Sequence, residues 1–266
     1  MHKTPFSHKT LPGLHREVFR LGLSSSFGID AQAYEAALER GFDYLFWVPY
    51  PASRLRTPLR RALKARRENY VLATGPMLGY FGGSVRRSAE SILRSLGTEY
   101  IDVFHLFWLG KTSAWTSATQ TELFKLKEEG KVKSIGISIH DRDRANVLMQ
   151  DSPIDLFMLR YNAAHPGAER DIFAHRDPNA PTRKAVVAYT ATSWRKLLKM
   201  PSSWEGRSMT AGDCYRFCLS NPHVDVVLTG VDNLAQLDEN MAAIEKGPLS
   251  AEEEAWMRRF GSVVHG

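Results

Sequence analysis

The sequence predicts an α/β protein: a closed parallel (β/α)8 barrel of the TIM type, as a single domain over 1–266. Three observations lead there. Strand-like and helix-like stretches alternate along nearly the whole chain, giving roughly eight strands, each followed by a helix. The strands are continuous apolar runs, as expected of a sheet covered on both faces. The chain has 266 residues, 43% of them hydrophobic, which suits one large domain with a substantial core. An open doubly wound sheet would share the alternation. It usually carries a Gly-rich first turn, and LGLSSSFG after the first strand is not G-x-G-x-x-G.

The first strand is expected over 18–23. Asp30 caps a helix that runs through Arg40 and stops at Gly41. The second strand covers 42–48, and Pro58 sits early in a basic helix to about 65, where proline is tolerated. The third strand is 70–74, followed by a helix over 84–96 in which Ile92, Leu93 and Leu96 recur at helical spacing and Gly97 ends the run. The fourth strand is 100–107. An amphipathic helix over 119–129 turns at Gly130 into the fifth strand, 132–138. A helix over 142–150 leads to the sixth strand, 154–161, and then to an irregular stretch with Pro166, Gly167, Pro178 and Pro181. The seventh strand is 185–189, the next helix 211–219 and the eighth strand 224–229. Helices over 234–244 and 252–260 close the chain.

Charged residues make up 24% of the chain and the formal net charge is +6, so disorder is not expected. Much of the excess lies in 54–67, which reads either as a solvated helix face or as an anion site. No nucleic-acid-binding motif accompanies it. Cys214 and Cys218 sit one helical turn apart and read as a small buried face. With no disulfide framework, a reducing compartment is favoured. No signal peptide and no bilayer-spanning run is evident, so a cytoplasmic location without membrane partners is expected.

Motifs in order along the chain resemble those of the aldo-keto reductases. They are GFDYLF at the second strand, SLGTEYIDVFHLFW through the third helix and fourth strand, LKEEGKVKSIGIS, MLRYN, VVAYTATSW and TGVDNLAQLDENMAAI. The resemblance implies a (β/α)8 barrel that reduces carbonyls with NADPH through an Asp, Tyr, Lys and His tetrad. In that chemistry Tyr donates a proton to the developing alkoxide, Lys paired to Asp lowers its pKa, and His orients the carbonyl. At the matching places this chain has Phe46 for Asp, Gly75 for Lys and Phe107 for His. The Tyr place falls at or beside Pro51, with Tyr50 one residue away. By the same resemblance the nicotinamide carboxamide would meet Ser138, Ile139 and Met158, its ring Tyr189, and the adenine Glu239 and Asn240. Gln236 replaces an Arg that often holds the 2′-phosphate. Weak binding of NADP or NAD, or none, is therefore expected.

Polar groups appear where the family's were lost. Strands five and six end in Ser138, His140, Arg160, Tyr161 and Asn162, with His165 and Glu169 just beyond. In a parallel barrel these strand ends build the active site. Arg160 either pairs with Glu169 to pin a loop or serves proton transfer beside an anionic substrate. Candidate catalytic residues are His140, His165, Arg160 and Tyr50. Phe46, Trp47, Phe107, Trp108, Met158 and Trp194 are expected to line an apolar pocket for a small molecule. His105, one layer below Phe107, reads as a core histidine, and ligand spacing supports no metal site. Two functions remain open: a divergent enzyme, redox or acid–base, or an inactive nucleotide- or partner-binding protein acting as sensor or scaffold.

Overall fold

The structure, a computed structural model, describes residues 3–50, 52–76 and 85–265. The expected helix start at Ser84 and the Pro51 position lie outside the described residues. An antiparallel hairpin, β1 (His8–Leu11) and β2 (Arg16–Phe19), precedes the barrel. Eight parallel strands then close on themselves. They are β3 (Leu21–Ser24), β4 (Tyr44–Trp47), β5 (Val71–Thr74), β6 (Ile101–Leu106), β7 (Val132–Ser138), β8 (Leu156–Arg160), β9 (Ala185–Tyr189) and β10 (Val226–Thr229), with β10 returning to β3. The helices between them are α1 (Ala31–Glu39), α2 (Arg56–Arg66), α3 (Val85–Leu96), α4 (Ser117–Glu128), α5 (Arg142–Gln150), a one-turn α6 (Ala168–Asp171), α7 (Ala211–Ser220) and α8 (Leu234–Glu245). A further helix, α9 (Ala251–His265), ends the chain. The expected barrel is the one observed.

The predicted first strand over 18–23 is in fact two elements. Arg20, 4% exposed, breaks the run, and its guanidinium donates to the carbonyls of Phe6, Leu219, Val224 and Asp225. Apolar residues on both sides of that break hid it from the hydrophobic pattern. Helix starts follow the sequence more closely: Asp30 accepts from Ala33 N at 2.7 Å, and Thr116, Asp141, Thr210 and Asn233 cap α4, α5, α7 and α8 in the same way.

An Asp marks the start of every second barrel strand. Asp43, Asp102, Asp155 and Asp225 precede or open β4, β6, β8 and β10, each following a large apolar residue. Each carboxylate accepts a backbone N–H from an earlier strand: Phe19 of β2, Leu72, Ile135 and Val186, all at 2.8 Å. Such charge-assisted bonds contribute about 1.5–3 kcal/mol each. Three of the four also hold a cation: Arg67 at 2.6 Å on Asp102, Lys127 at 2.9 Å on Asp155, and Arg183 with Lys9 on the fully buried Asp225. The N-terminal face of the barrel is thus tied by alternating polar clasps.

Cys214 and Cys218 are free and buried on α7, and Cys218 Sγ donates to Tyr161 O. Among the described residues no helix is long and apolar enough to cross a membrane.

Candidate functional site

Side chains on the barrel strands alternate between the interior and the helix layer. Phe46 on β4, Phe107 just past β6 and Met158 on β8 keep 8%, 5% and 6% exposure and form an apolar floor at the C-terminal mouth. The rings of Phe46 and Phe107 meet edge to face at 5.7 Å. His105 lies one layer down, stacked on Phe107 at 5.5 Å and edge-on to Phe46 at 5.9 Å. Among the described residues neither of its ring nitrogens has a hydrogen-bond partner, and burial holds its pKa down at about 3. Gly136 makes room for it: a Cβ there would stand 2.7 Å from His105 Nδ1.

Gly75 is closed in a different way. A Cβ at this position would stand 2.3 Å from His105 O and 3.2 Å from Phe107 Cε2. The end of β5 therefore leans directly on the β6 backbone, and no side chain of any kind fits without moving a strand. The turn after β6 is pinned as well. Trp108 N donates to Ser138 Oγ at 2.8 Å, and the Thr112 and Ser113 hydroxyls donate to Phe107 O. Trp108 holds φ 47°, an uncommon value for a bulky residue.

Above the floor stands a polar group. Arg160 ends β8 in register with Tyr189 at the end of β9. The Tyr189 hydroxyl lies 3.3 Å from His140 Nε2, and the two rings meet edge to face at 6.2 Å; the direction of the hydrogen bond depends on the His140 tautomer. Burial raises the Tyr189 pKa to about 12, partly offset by Arg160. The His140 pKa is lowered by burial and then by the positive charges of Arg160 and Lys111. The Arg160 guanidinium faces the Trp194 ring at 5.9 Å. Trp194 belongs to a loop in which Thr190, Ser193, Trp194 and Arg195 all have positive φ, between 49° and 68°. Such values are uncommon for non-glycine residues and carry local strain.

Several expectations are corrected. Arg160 does not pair with Glu169. That carboxylate takes a two-point bond from Arg258, at 2.9 and 3.0 Å, and accepts from Tyr161 OH at 2.5 Å. The loop is pinned by α9, 89 residues away in sequence, which no local pattern reveals. Trp47 is 1% exposed and belongs to the core, on the opposite face of β4 from Phe46. Tyr50 is 77% exposed and stands in solvent, not in the floor. The His165 ring packs on His265 of α9 at 4.8 Å, and its pKa is lowered by burial, then by Arg160. Asn162 is structural: it donates to Thr190 O and accepts from Ala164 N and His165 N. Lys111 was missed, because a lysine on a loop carries no sequence signal of its own.

The residues expected to hold a nicotinamide dinucleotide do not fit it at the carboxamide end. Ser138 is 2% exposed with its hydroxyl accepting from Trp108 N, and Ile139 and Met158 offer no hydrogen bond. On the adenine side Asn240 is 3% exposed and donates to Thr229 Oγ1, and Gln236 Oε1 accepts from Asp232 N. Glu239 alone is exposed. Between the two ends the Phe27 ring lies on Gly230, where a Cβ would stand 2.0 Å from Phe27 Cδ2. Among the described residues no group of His, Cys, Asp and Glu is placed to hold a metal. A separate cavity of about 440 Å³ opens at the N-terminal face, beside Phe173, Arg176, Lys184 and His223.

The aldo/keto reductase family model matches residues 50–179. L-galactose dehydrogenase of Arabidopsis thaliana is 24% identical over 271 residues, covering 84% of this chain and 81% of that one. An aldo-keto reductase of Klebsiella pneumoniae, solved in complex with NADPH, superposes with a TM-score of 0.77 at 20% identity, covering 96% of this chain and 95% of the other. Aldo-keto reductase AKR11C1 from Bacillus halodurans, in its holo form, gives 0.75 at 22% identity over 96% of both chains. At these identities the structural likeness is one of fold, and the comparisons agree on it: the whole barrel has the fold of the aldo-keto reductases, and residues 50–179 match that family's model.

Proposed function

We propose that this chain is a divergent aldo-keto-reductase barrel that takes a small molecule at its C-terminal mouth and does not carry out the family's ordinary carbonyl reduction. The observation that supports this most is Gly75. The place of the family's lysine is not merely vacant of charge but sterically shut by the His105 carbonyl. Phe46 and Phe107 replace two more of the four groups with apolar rings in contact. What the mouth retains is suited to acid–base work. Burial and the nearby Arg160 and Lys111 lower the His140 pKa, which favours the neutral imidazole that can accept a proton, and the Tyr189 hydroxyl lies within reach of it. In this reading His140 takes a proton from the bound molecule, Tyr189 orients the imidazole, and Arg160 stabilises negative charge that develops beside it.

A nicotinamide dinucleotide, if bound, would bring hydride chemistry, but the carboxamide contacts that would fix its ring are missing. Each lost hydrogen bond weakens binding by about 0.5–1.5 kcal/mol. Titration with NADPH and NADH, followed by tryptophan fluorescence, is expected to show no saturation in the low micromolar range and little preference between the two. A micromolar or tighter Kd would show that the nucleotide is held by groups other than those identified, and would restore a redox reading.

A further inference from the structure

We propose that the ligand of the barrel mouth is a small organic oxyanion, a carboxylate or phosphate monoester on an apolar body, with Arg160 holding the charged group. The inference rests on reading the mouth as a small-molecule site. Arg160 is half-buried at the end of β8, and among the described residues no Asp or Glu pairs with it. Two other half-buried arginines of the barrel are paired, Arg67 with Asp102 and Arg183 with Asp225. The charges that act on His140 are Arg160 and Lys111. Both are cations, and among the described residues no carboxylate pairs with either. Beneath it Phe46, Phe107 and Met158 offer a purely apolar floor. A neutral polar ligand would leave the guanidinium uncompensated, and a purely apolar one would desolvate it. An amphipathic anion satisfies both layers, and the planar guanidinium matches an oxyanion with two parallel hydrogen bonds.

The test is calorimetric titration of the full chain with phenylacetate, phenyl phosphate and the neutral phenylacetamide. At least one anion is expected to bind about tenfold or more tighter than the amide, a difference typical of one charge-assisted contact. The tighter of the two identifies the headgroup. Arg160→Gln is expected to remove that advantage while leaving amide binding and the unfolding midpoint unchanged, since no partner is orphaned. In NMR titrations the anion should raise the His140 pKa by compensating the nearby cations. Equal affinity for amide and anions, or anion binding indifferent to Arg160→Gln, would overturn the oxyanion inference. In the first case the mouth survives as a small-molecule site. The second would point to another cationic site, such as the cavity beside Arg176 and Lys184. Absence of binding by all three probes at millimolar concentration would count against both readings.

Discussion

Replacing His105 by Leu is expected to flatten the acid side of the stability curve. The unfolded chain protonates this imidazole near pH 6.5, whereas the folded chain resists until about pH 3. As pH falls through that window the unfolded state binds the extra proton, so His105 withdraws stability at about 1.4 kcal/mol per pH unit. Between pH 7 and pH 5 this amounts to about 2 kcal/mol. Other groups titrate in the same range. Asp43, with its pKa raised to about 6 by burial, adds stability as pH falls toward 3.8, opposing His105. The informative quantity is therefore the difference between wild type and variant, in which unchanged groups cancel. Packing losses from the substitution shift the whole curve and leave its slope alone. His105→Met, with a more adaptable side chain, controls for the shape of the slot that Gly136 provides. Denaturant unfolding at several pH values gives the result directly, and parallel curves for wild type and both variants would show that His105 is not held neutral.

Gly75→Ala is expected to destabilise the barrel by about 1–3 kcal/mol, the usual range for overpacking a tight interior. A methyl group 2.3 Å from His105 O cannot be absorbed by a side-chain rotation, because the obstacle is backbone. For a protein of this size the loss corresponds to a fall of roughly 2–4 °C in Tm per kcal/mol. Gly75→Lys should fall further and should not gain carbonyl reduction, because the ammonium would have to displace β6 to reach the mouth. Thermal melts check the first claim. An alanine variant with the wild-type midpoint would mean that the gap between β5 and β6 is looser than described, and that the lysine place is open.

The barrel itself was legible in the sequence because long apolar strands with short punctuation leave few alternatives. The split at Arg20 was not, since Val18, Phe19, Leu21 and Leu23 look the same to a hydrophobic pattern whichever sheet they join. Phe46, Gly75 and Phe107 could be singled out from motif positions, yet the crowding at Gly75 comes from the His105 carbonyl, which only packing reveals. At the mouth, His140, Arg160, Tyr189 and Trp194 could each be picked out because they lie at or beyond strand ends. Their assembly depends on register between β8 and β9 and on a contact spanning 49 residues between Tyr189 and His140. The same limits explain why a pair of Glu169 with Arg160 stood as one alternative in the sequence, whereas the fold delivers Arg258 from the last helix. Trp47 shows the smaller error of reading a strand-end aromatic without its face, since Phe46 and Trp47 alternate and only one can meet the mouth.

The central claim is that ordinary carbonyl reduction has been lost from this barrel, and steady-state oxidation of NADPH with a panel of aldehydes and ketones tests it most directly. General-acid assistance of about 10²–10⁴-fold should be missing, together with the groups that orient the carbonyl. Oxidation no faster than the protein-free background is expected for every carbonyl tried. Sustained turnover near 1 s⁻¹, within the range of ordinary enzymes, would contradict it.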